Sequence, residues 1–316
     1  MDAVVLFSHG SVLCGAGQTL EAHCAGLRSL AGTSIVEYGY LNYSRPSFFE
    51  AVGACVNRGA RRILVAPYFL STGKFISEDV PAAMMAAQQR FPAISLECAP
   101  PLGYDVRLAD AIEHSAAIAS PPSRWHQEVD CAAAHCLEVP TCPLFGTGSC
   151  PGGSDGTGHR EQPARDAGCC TVNRTARGDN RTLLIMAHGS PIESANEDIY
   201  RLARLIDGRS RFRETIPCFL ECNRPNIGSA LAHAAGAGAS EVVAVPFFLH
   251  TGRHVALDIP ALMRSAAAAH PQVDFYLGDY IGRSEKVTEI LMDRIREANA
   301  RPAAGLPAAK AGGSVV

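Results

Sequence analysis

Pro67-Tyr-Phe-Leu-Ser-Thr-Gly-Lys-Phe-Ile-Ser-Glu-Asp-Val-Pro81 and Pro246-Phe-Phe-Leu-His-Thr-Gly-Arg-His-Val-Ala-Leu-Asp-Ile-Pro260 are two versions of one segment, 179 residues apart. The same offset, without a gap, sets His9-Gly10-Ser11 against His188-Gly189-Ser190 and Arg45-Pro46 against Arg224-Pro225. It also sets Gly59-Ala60 against Gly238-Ala239, Pro92 against Pro271 and Gly103 against Gly282. A single register held over about 100 residues marks an internal duplication. The 316 residues are therefore read as two copies of one domain, 1–120 and 181–300. Between them lies a Cys/Gly/Pro-rich linker, 121–180, expected to be flexible, and after them a disordered tail, 301–316.

Each copy repeats one grammar. Ala3–Phe7 and Thr182–Met186 are short, continuous apolar runs, the pattern of strands buried on both faces. Each runs into His-Gly-Ser. Second strands precede Leu41 and Leu220, and a helix follows each Arg-Pro. Third strands, Arg62–Ala66 and Glu241–Val245, end at Pro67 and Pro246. Helices open near Val80-Pro81 and Ile259-Pro260, and fourth strands lie around Ile94–Cys98 and Val273–Leu277. In the second copy, Ser194-Ala-Asn-Glu197 has the spacing of a capping box. Strands alternating with helices predict an α/β fold, each domain a parallel sheet flanked by helices. Ligands of such sheets bind outside the carboxyl ends of the strands, where all three motif loops fall.

Composition narrows the function. Hydrophobic residues make up 47% and charged residues 19%, with a formal charge of −3. No global basic field is available for nucleic acid or an anionic membrane. No apolar run approaches the roughly 20 residues needed to span a bilayer. The first residues lack the cationic and long apolar regions of a secretory signal, so a cytoplasmic location is expected.

Three residues of the second copy are predicted to meet on one rim: His188 after the first strand, Glu221 after the second and His254 after the third. Two imidazoles and a carboxylate form a ligand set suited to Fe(II), Co(II), Ni(II) or Zn(II). The carboxylate or a histidine could equally accept protons. Singly, each has a plainer reading: His188 as a turn residue bonded to backbone, Glu221 as a partner of Arg224, His254 as a solvent-facing loop residue. The first copy serves as a control. It keeps His9 but has Asn42 where the second has Glu221, and Phe75 where the second has His254. One intact site, in the C-terminal half, is expected. His250, with Ser71 as its counterpart, is read as an exposed residue rather than a further ligand.

These residues carry a resemblance. His-Gly-Ser, Phe-Leu-Glu with its following Arg-Pro, and Pro-Phe-Phe-Leu-x-x-Gly-x-His-x-x-x-Asp-Ile-Pro resemble the sirohydrochlorin chelatases. The resemblance covers both repeats and excludes the cysteine-rich middle. It implies two tandem chelatase-like domains with a tetrapyrrole in the cleft between them. The implied activity is ATP-independent insertion of Co2+ or Fe2+ into sirohydrochlorin, in cobalamin or sirohaem biosynthesis. His188, Glu221 and His254 match the family's metal-handling residues; in the first copy only His9 does. Sirohydrochlorin carries eight carboxylates, so Arg45, Arg224 and Arg253, beside the motif loops, become candidates for binding it, with Lys74 as Arg253's counterpart. Arg45 and Arg224 could equally pair locally.

Twelve cysteines are many for such a chain, and six of them fall in the linker. Cys131, Cys136, Cys142 and Cys150 could hold an Fe–S cluster or a soft metal, although the spacing matches neither ferredoxins nor zinc ribbons. Cys218 and Cys222 flank Glu221 and are expected to pack in the core. Two other functions fit the same residues: a cobalt or nickel chaperone or tetrapyrrole carrier without turnover, and a hydrolase with His188 as nucleophile. The missing Arg-His-Gly context weighs against the second.

Overall fold

The computed structural model describes residues 1–11, 16–30, 35–70, 73–125, 180–192 and 195–300. The linker cysteines Cys131, Cys136, Cys142 and Cys150 and the tail from 301 lie outside them, as does Ser194. Two parallel four-stranded sheets are formed. The first holds β1 (Ala3–Ser8), β2 (Val36–Tyr40), β3 (Arg62–Pro67) and β4 (Ser95–Cys98), in the order β2-β1-β3-β4. The second holds β5 (Arg181–Ala187), β6 (Glu214–Phe219), β7 (Glu241–Pro246) and β8 (Asp274–Leu277), in the order β6-β5-β7-β8. Every pairing is parallel. The sequence expectation of duplicated parallel sheets flanked by helices is met.

Helices connect the strands: α1 (Ala16–Leu30), α2 (Phe48–Asn57), α3 (Val80–Arg90) and α4 (Arg107–Ala117) in the first copy. In the second they are α5 (Glu197–Gly208), α6 (Ile227–Gly236), α7 (Ile259–Ala269) and α8 (Glu285–Ala300). The central strands are apolar because both faces are covered. All six residues of β1 and β7 are buried. Each buried Val, Leu or Ile stabilises by about 1.5–3 kcal/mol. Because β2 and β3 flank β1 on opposite sides, the chain reverses direction across the sheet at β1. Loops leaving β1 and β3, or β5 and β7, therefore border the crevice in which such sheets bind ligands. Among the described residues no helix is long and apolar enough to cross a membrane.

Helices open at Val80 and Ile259 as expected, and two local details add to that reading. The helices at Val80 and Ile259 are each preceded by one wide π-type turn, Phe75–Asp79 and His254–Asp258. Within these turns Val80 N–H donates to the Phe75 carbonyl, and Ile259 N–H to that of His254. Pro81 and Pro260 have no N–H to prolong the wide pattern, and ordinary α-helix begins there. In α5 the residue before the helix is Asn196, with no capping bond from its side chain. Its amide instead donates to the Ser190 carbonyl (3.0 Å), tying the helix to the loop after β5.

The chain divides into two compact units whose limits differ from those of the repeats. One contains Met1–Gly10, Leu20–Gly103 and the segment from Thr288; the other contains Ser11–Thr19 and Tyr104–Val287. In the first unit most of α8 packs with the first sheet's repeat. Arg294 donates to the carbonyls of Pro101 and Leu102 (3.2 and 2.9 Å), and Thr288 meets the buried His23 at 2.7 Å. His23 also bonds the Tyr68 hydroxyl at 2.9 Å. In the second unit α4 packs on α5 and β7. There Arg209 bridges Asp110 and Glu113 of α4. The last helix of each repeat thus belongs to the unit that holds the other repeat's sheet. Hydrophobic periodicity shows that a helix has an apolar face, not which sheet that face will cover.

Local capping anchors the loop after β2. Ser47 caps α2, its hydroxyl accepting from Glu50 N–H while the Glu50 carboxylate accepts from Ser47 N–H. That Ser47 N–H, more than the nearby Arg45, holds the Glu50 carboxyl below its usual range. A depressed carboxyl contributes stability above its unfolded value, about 4.3, and loses it as pH falls through the folded value. Ser47→Ala is expected to cost about 1 kcal/mol in urea denaturation at neutral pH. The cost should shrink below about pH 4 as Glu50 becomes protonated.

Candidate metal centre

The second sheet delivers three side chains to one rim. His188 is the first residue beyond β5, Glu221 is the second beyond β6, and His254 opens the wide turn before α7. Beyond the last ladder pair, Leu220 N–H donates to the Ala187 carbonyl and Glu221 N–H to that of His188, both at 2.9 Å. The pairing of β5 with β6 thus continues through the two site residues themselves. One ligating atom from each of His188, Glu221 and His254 lies within 4.8 Å of the others, and among the described residues no other group of three is so arranged. The two imidazole centres are 5.1 Å apart, their planes at 70°. Both His188 and Glu221 are exposed and His254 is half-buried, so the cluster opens to solvent.

Hydrogen bonding settles which nitrogen each ring presents. His188 Nδ1 is 3.1 Å from the Gly189 carbonyl, and His254 Nδ1 is 2.8 Å from an Asp258 carboxylate oxygen. Carbonyls and carboxylates only accept, so Nδ1 carries the proton in both rings. In the neutral ring this leaves Nε2 as the nitrogen with a lone pair for a metal. Asp258, four residues after His254 and one wide turn away, orients the ring and makes it a better donor. No role was assigned to Asp258 from sequence, although it recurs as Asp79 and stands at helical spacing from His254. The signal was present in the repeat.

Glycine is demanded at one point of this rim. Gly189 has φ +92, and a Cβ there would overlap the Glu221 carbonyl oxygen. A side chain at 189 would push apart the two backbones that carry His188 and Glu221. Asn223 adds a brace, its side-chain oxygen accepting from Ser190 N–H at 2.8 Å. No ion pair joins Glu221 to Arg224, so the plainer reading of Glu221 as that residue's partner does not describe it.

Other expected residues are placed as follows. Arg253 is exposed and its guanidinium is 3.6 Å from Asp258. Arg224 is exposed. Arg45 is exposed and bonded to Glu50 at 2.6 Å, the local pairing foreseen as its alternative. His250 is half-buried rather than exposed, and outside the cluster. Cys218 is fully buried, and burial pushes its thiol far above the usual range, so it stays protonated and is no metal ligand. Cys222 does not pack in the core as expected: it is exposed, with φ +61, because the chain turns sharply just after Glu221.

The first sheet builds the same rim with different chemistry. His9 Nδ1 is 3.2 Å from the Gly10 carbonyl, Asn42 N–H donates to the His9 carbonyl at 2.9 Å, and Gly10 has φ +95. Asn42 and Phe75 stand where the second rim has Glu221 and His254.

Residues 3–119 and 182–298 both match the model of the CbiX family. The chain belongs to the CbiX family. Among its relatives, the sirohydrochlorin ferrochelatase of Bacillus subtilis (strain 168) is 22% identical over 296 residues, covering 94% of this chain and 91% of the relative. The sirohydrochlorin cobaltochelatase of Priestia megaterium is 22% identical over 263 residues, covering 83% and 69%. Among solved structures, SirB from Bacillus subtilis with Fe3+ has the same fold. It has a TM-score of 0.65 at 22% identity, over 95% of this chain and 96% of that one. Nothing in these relatives' names supports an Fe–S cluster on Cys131, Cys136, Cys142 and Cys150.

Two substitutions probe the geometry. Gly189→Ala is expected to weaken Co2+ binding at least tenfold in calorimetry, because it displaces both ligand-bearing loops. The control is Gly238→Ala, at φ +82 with no atom within 4 Å of the added Cβ. It should lose about 1–2 kcal/mol of stability and leave Co2+ affinity unchanged. Asp258→Asn should weaken Co2+ binding by roughly 10–100-fold with little change in melting temperature.

Proposed function

We propose that this CbiX-family chain is a metal chelatase that inserts Co2+ or Fe2+ into sirohydrochlorin without ATP, on the way to cobalamin or sirohaem. The observation that carries it is the convergence of His188, Glu221 and His254 on one rim, in a chain whose relatives spanning most of its length are named as sirohydrochlorin chelatases. The metal is substrate and must be surrendered. A site of three exposed or half-buried ligands leaves coordination positions open.

The chemistry is a double exchange. As M2+ enters the macrocycle, two pyrrole N–H protons leave, and the overall step is M2+ plus free ring giving metallated ring plus two protons. In this reading His188 and His254 hold the incoming ion through Nε2. Glu221 binds it as an anionic ligand, and on handing it over becomes the nearest base for a pyrrole proton. Asp258 keeps His254 fixed during the handover. Arg224 and Arg253, beside the second rim, are candidates to meet the peripheral carboxylates of the tetrapyrrole; Arg45 is the candidate beside the first. Arg45 and Arg253 would exchange exposed ion pairs, worth about 0–1 kcal/mol, for the substrate's charges.

The test is anaerobic incubation with sirohydrochlorin and either ion, followed by absorbance. Wild type should accelerate insertion. Glu221→Gln should lower kcat by roughly 100–10,000-fold, the usual weight of a general base, while tetrapyrrole binding survives. His254→Ala should lose Co2+ affinity. If wild type binds ring and metal but accelerates insertion of neither, the chain is a binding protein and the chelatase reading fails.

A further inference from the structure

Past the last main-chain rung between β5 and β6, a side chain continues the pairing. Cys222, at φ +61, turns the chain away after Glu221. Asn223 then reaches back to the other loop, its side-chain oxygen accepting from Ser190 N–H at 2.8 Å. That oxygen uses the space Gly189 leaves open, for a Cβ on the glycine would lie 2.9 Å from it. Asn223 N–H is itself bonded to the Glu221 carbonyl at 2.6 Å. One asparagine thus joins the chain just after His188 to Glu221.

A second asparagine grips the same residue from the other side. Asn196 is buried, and its amide donates to the Ser190 carbonyl at 3.0 Å. It stands at the N-cap position of α5, where an asparagine oxygen ordinarily accepts from the helix's first N–H groups. Here it makes no such bond. Asn226 caps α6 in the ordinary way, accepting from Ser229 N–H at 2.7 Å. A side chain that forgoes its local rule to hold a loop marks a place where the loop's position matters. Ser190 Oγ closes the turn by accepting from Ile192 N–H at 3.1 Å. With its N–H, carbonyl and hydroxyl all engaged, Ser190 has little room to turn, and His188, two residues earlier, shares the constraint. The duplication supplies the contrast. At the offset of 179, Asn223 corresponds to Ser44, and Asn196 to Gly17, which has no side chain to donate. Both amides belong to the copy that carries the three candidate ligands.

We propose that Asn196 and Asn223 are positioning residues, an amide clamp on Ser190 that sets His188 and Glu221 at metal-binding distance before any ion arrives. This rests on the reading of His188, Glu221 and His254 as metal ligands. A ligand set must be held within about 0.5 Å of its productive geometry. His188 and Glu221 are exposed, so packing around their side chains contributes little to that. The clamp acts instead through the backbone that bears them. An ion then meets a rim already in place and spends none of its binding free energy on ordering the loops. Neither asparagine needs to touch the metal or the ring.

The experiment is Co2+ calorimetry on the full chain, with the visible absorbance of the bound ion, for wild type, Asn223→Ala, Asn196→Ala and the double variant. Each single variant should raise the Co2+ Kd roughly 10–100-fold, the range for residues that orient ligands, and shift the bands of bound Co2+. Because both asparagines act through Ser190, the double variant should lose less than the product of the two single effects. In the insertion assay the KM for Co2+ should rise while kcat at saturating Co2+ holds, since excess ion refills the displaced ligands. Asn226→Ala is the control: it removes a true cap, lowers the melting temperature, and should leave Co2+ affinity and spectrum unchanged. If alanine unfolds the chain, Asn196→Ser, which offers α5 a cap on a shorter arm, and Asn223→Ser, the first copy's residue, carry the same expected loss of Co2+ affinity. If the variants melt earlier yet bind Co2+ as wild type does, the clamp serves stability alone, and the proposal fails while the metal centre stands. If wild type binds no Co2+, the metal centre falls and the clamp with it.

Discussion

One backbone hydrogen bond organises the rim. Glu221 N–H on the His188 carbonyl carries the β5–β6 pairing past the end of the ladder and into the loops, so two candidate ligands are positioned by main chain rather than by side-chain packing. That bond requires the chain to pass very close to residue 189, and only glycine permits it. The third candidate, His254, comes from the other neighbour of β5, where the wide turn follows β7. Parallel register is thus what turns residues 188, 221 and 254 into neighbours. The same bond exists between Asn42 and His9, which shows that it belongs to the scaffold and was retained when the chemistry changed.

The duplication supplies a comparison that mutagenesis would otherwise have to make. Positive φ recurs at Gly10 and Gly189, at Gly59 and Gly238, and at the non-glycine pair Tyr43 and Cys222. Backbone demands were kept, while side chains pointing off the rim were free to differ. Asp79 survives where Asp258 orients a histidine, although its own turn begins with Phe75.

Much of this was legible in the chain. Buried parallel strands read as unbroken apolar runs, and the constant offset of 179 tells which loops of the two copies are equivalent. His188, Glu221 and His254 could be predicted to converge because parallel sheets place all strand ends on one side. Asp258 was overlooked because its spacing to His254 acquires meaning only once the turn between them is helical. Cys222 was misplaced because apolar character suggests burial, whereas the sharp turn after Glu221 points it outward. The destinations of α4 and α8 had no local signature at all.

Those two helices have a consequence for how such a chain can change. Each sheet relies on covering supplied by the other copy, so neither half can be deleted without stripping the survivor of part of its packing. With the helices so exchanged, the first copy is needed as scaffold whatever side chains its rim carries. Selection on that copy's chemistry could then relax without any risk that the copy itself would be lost.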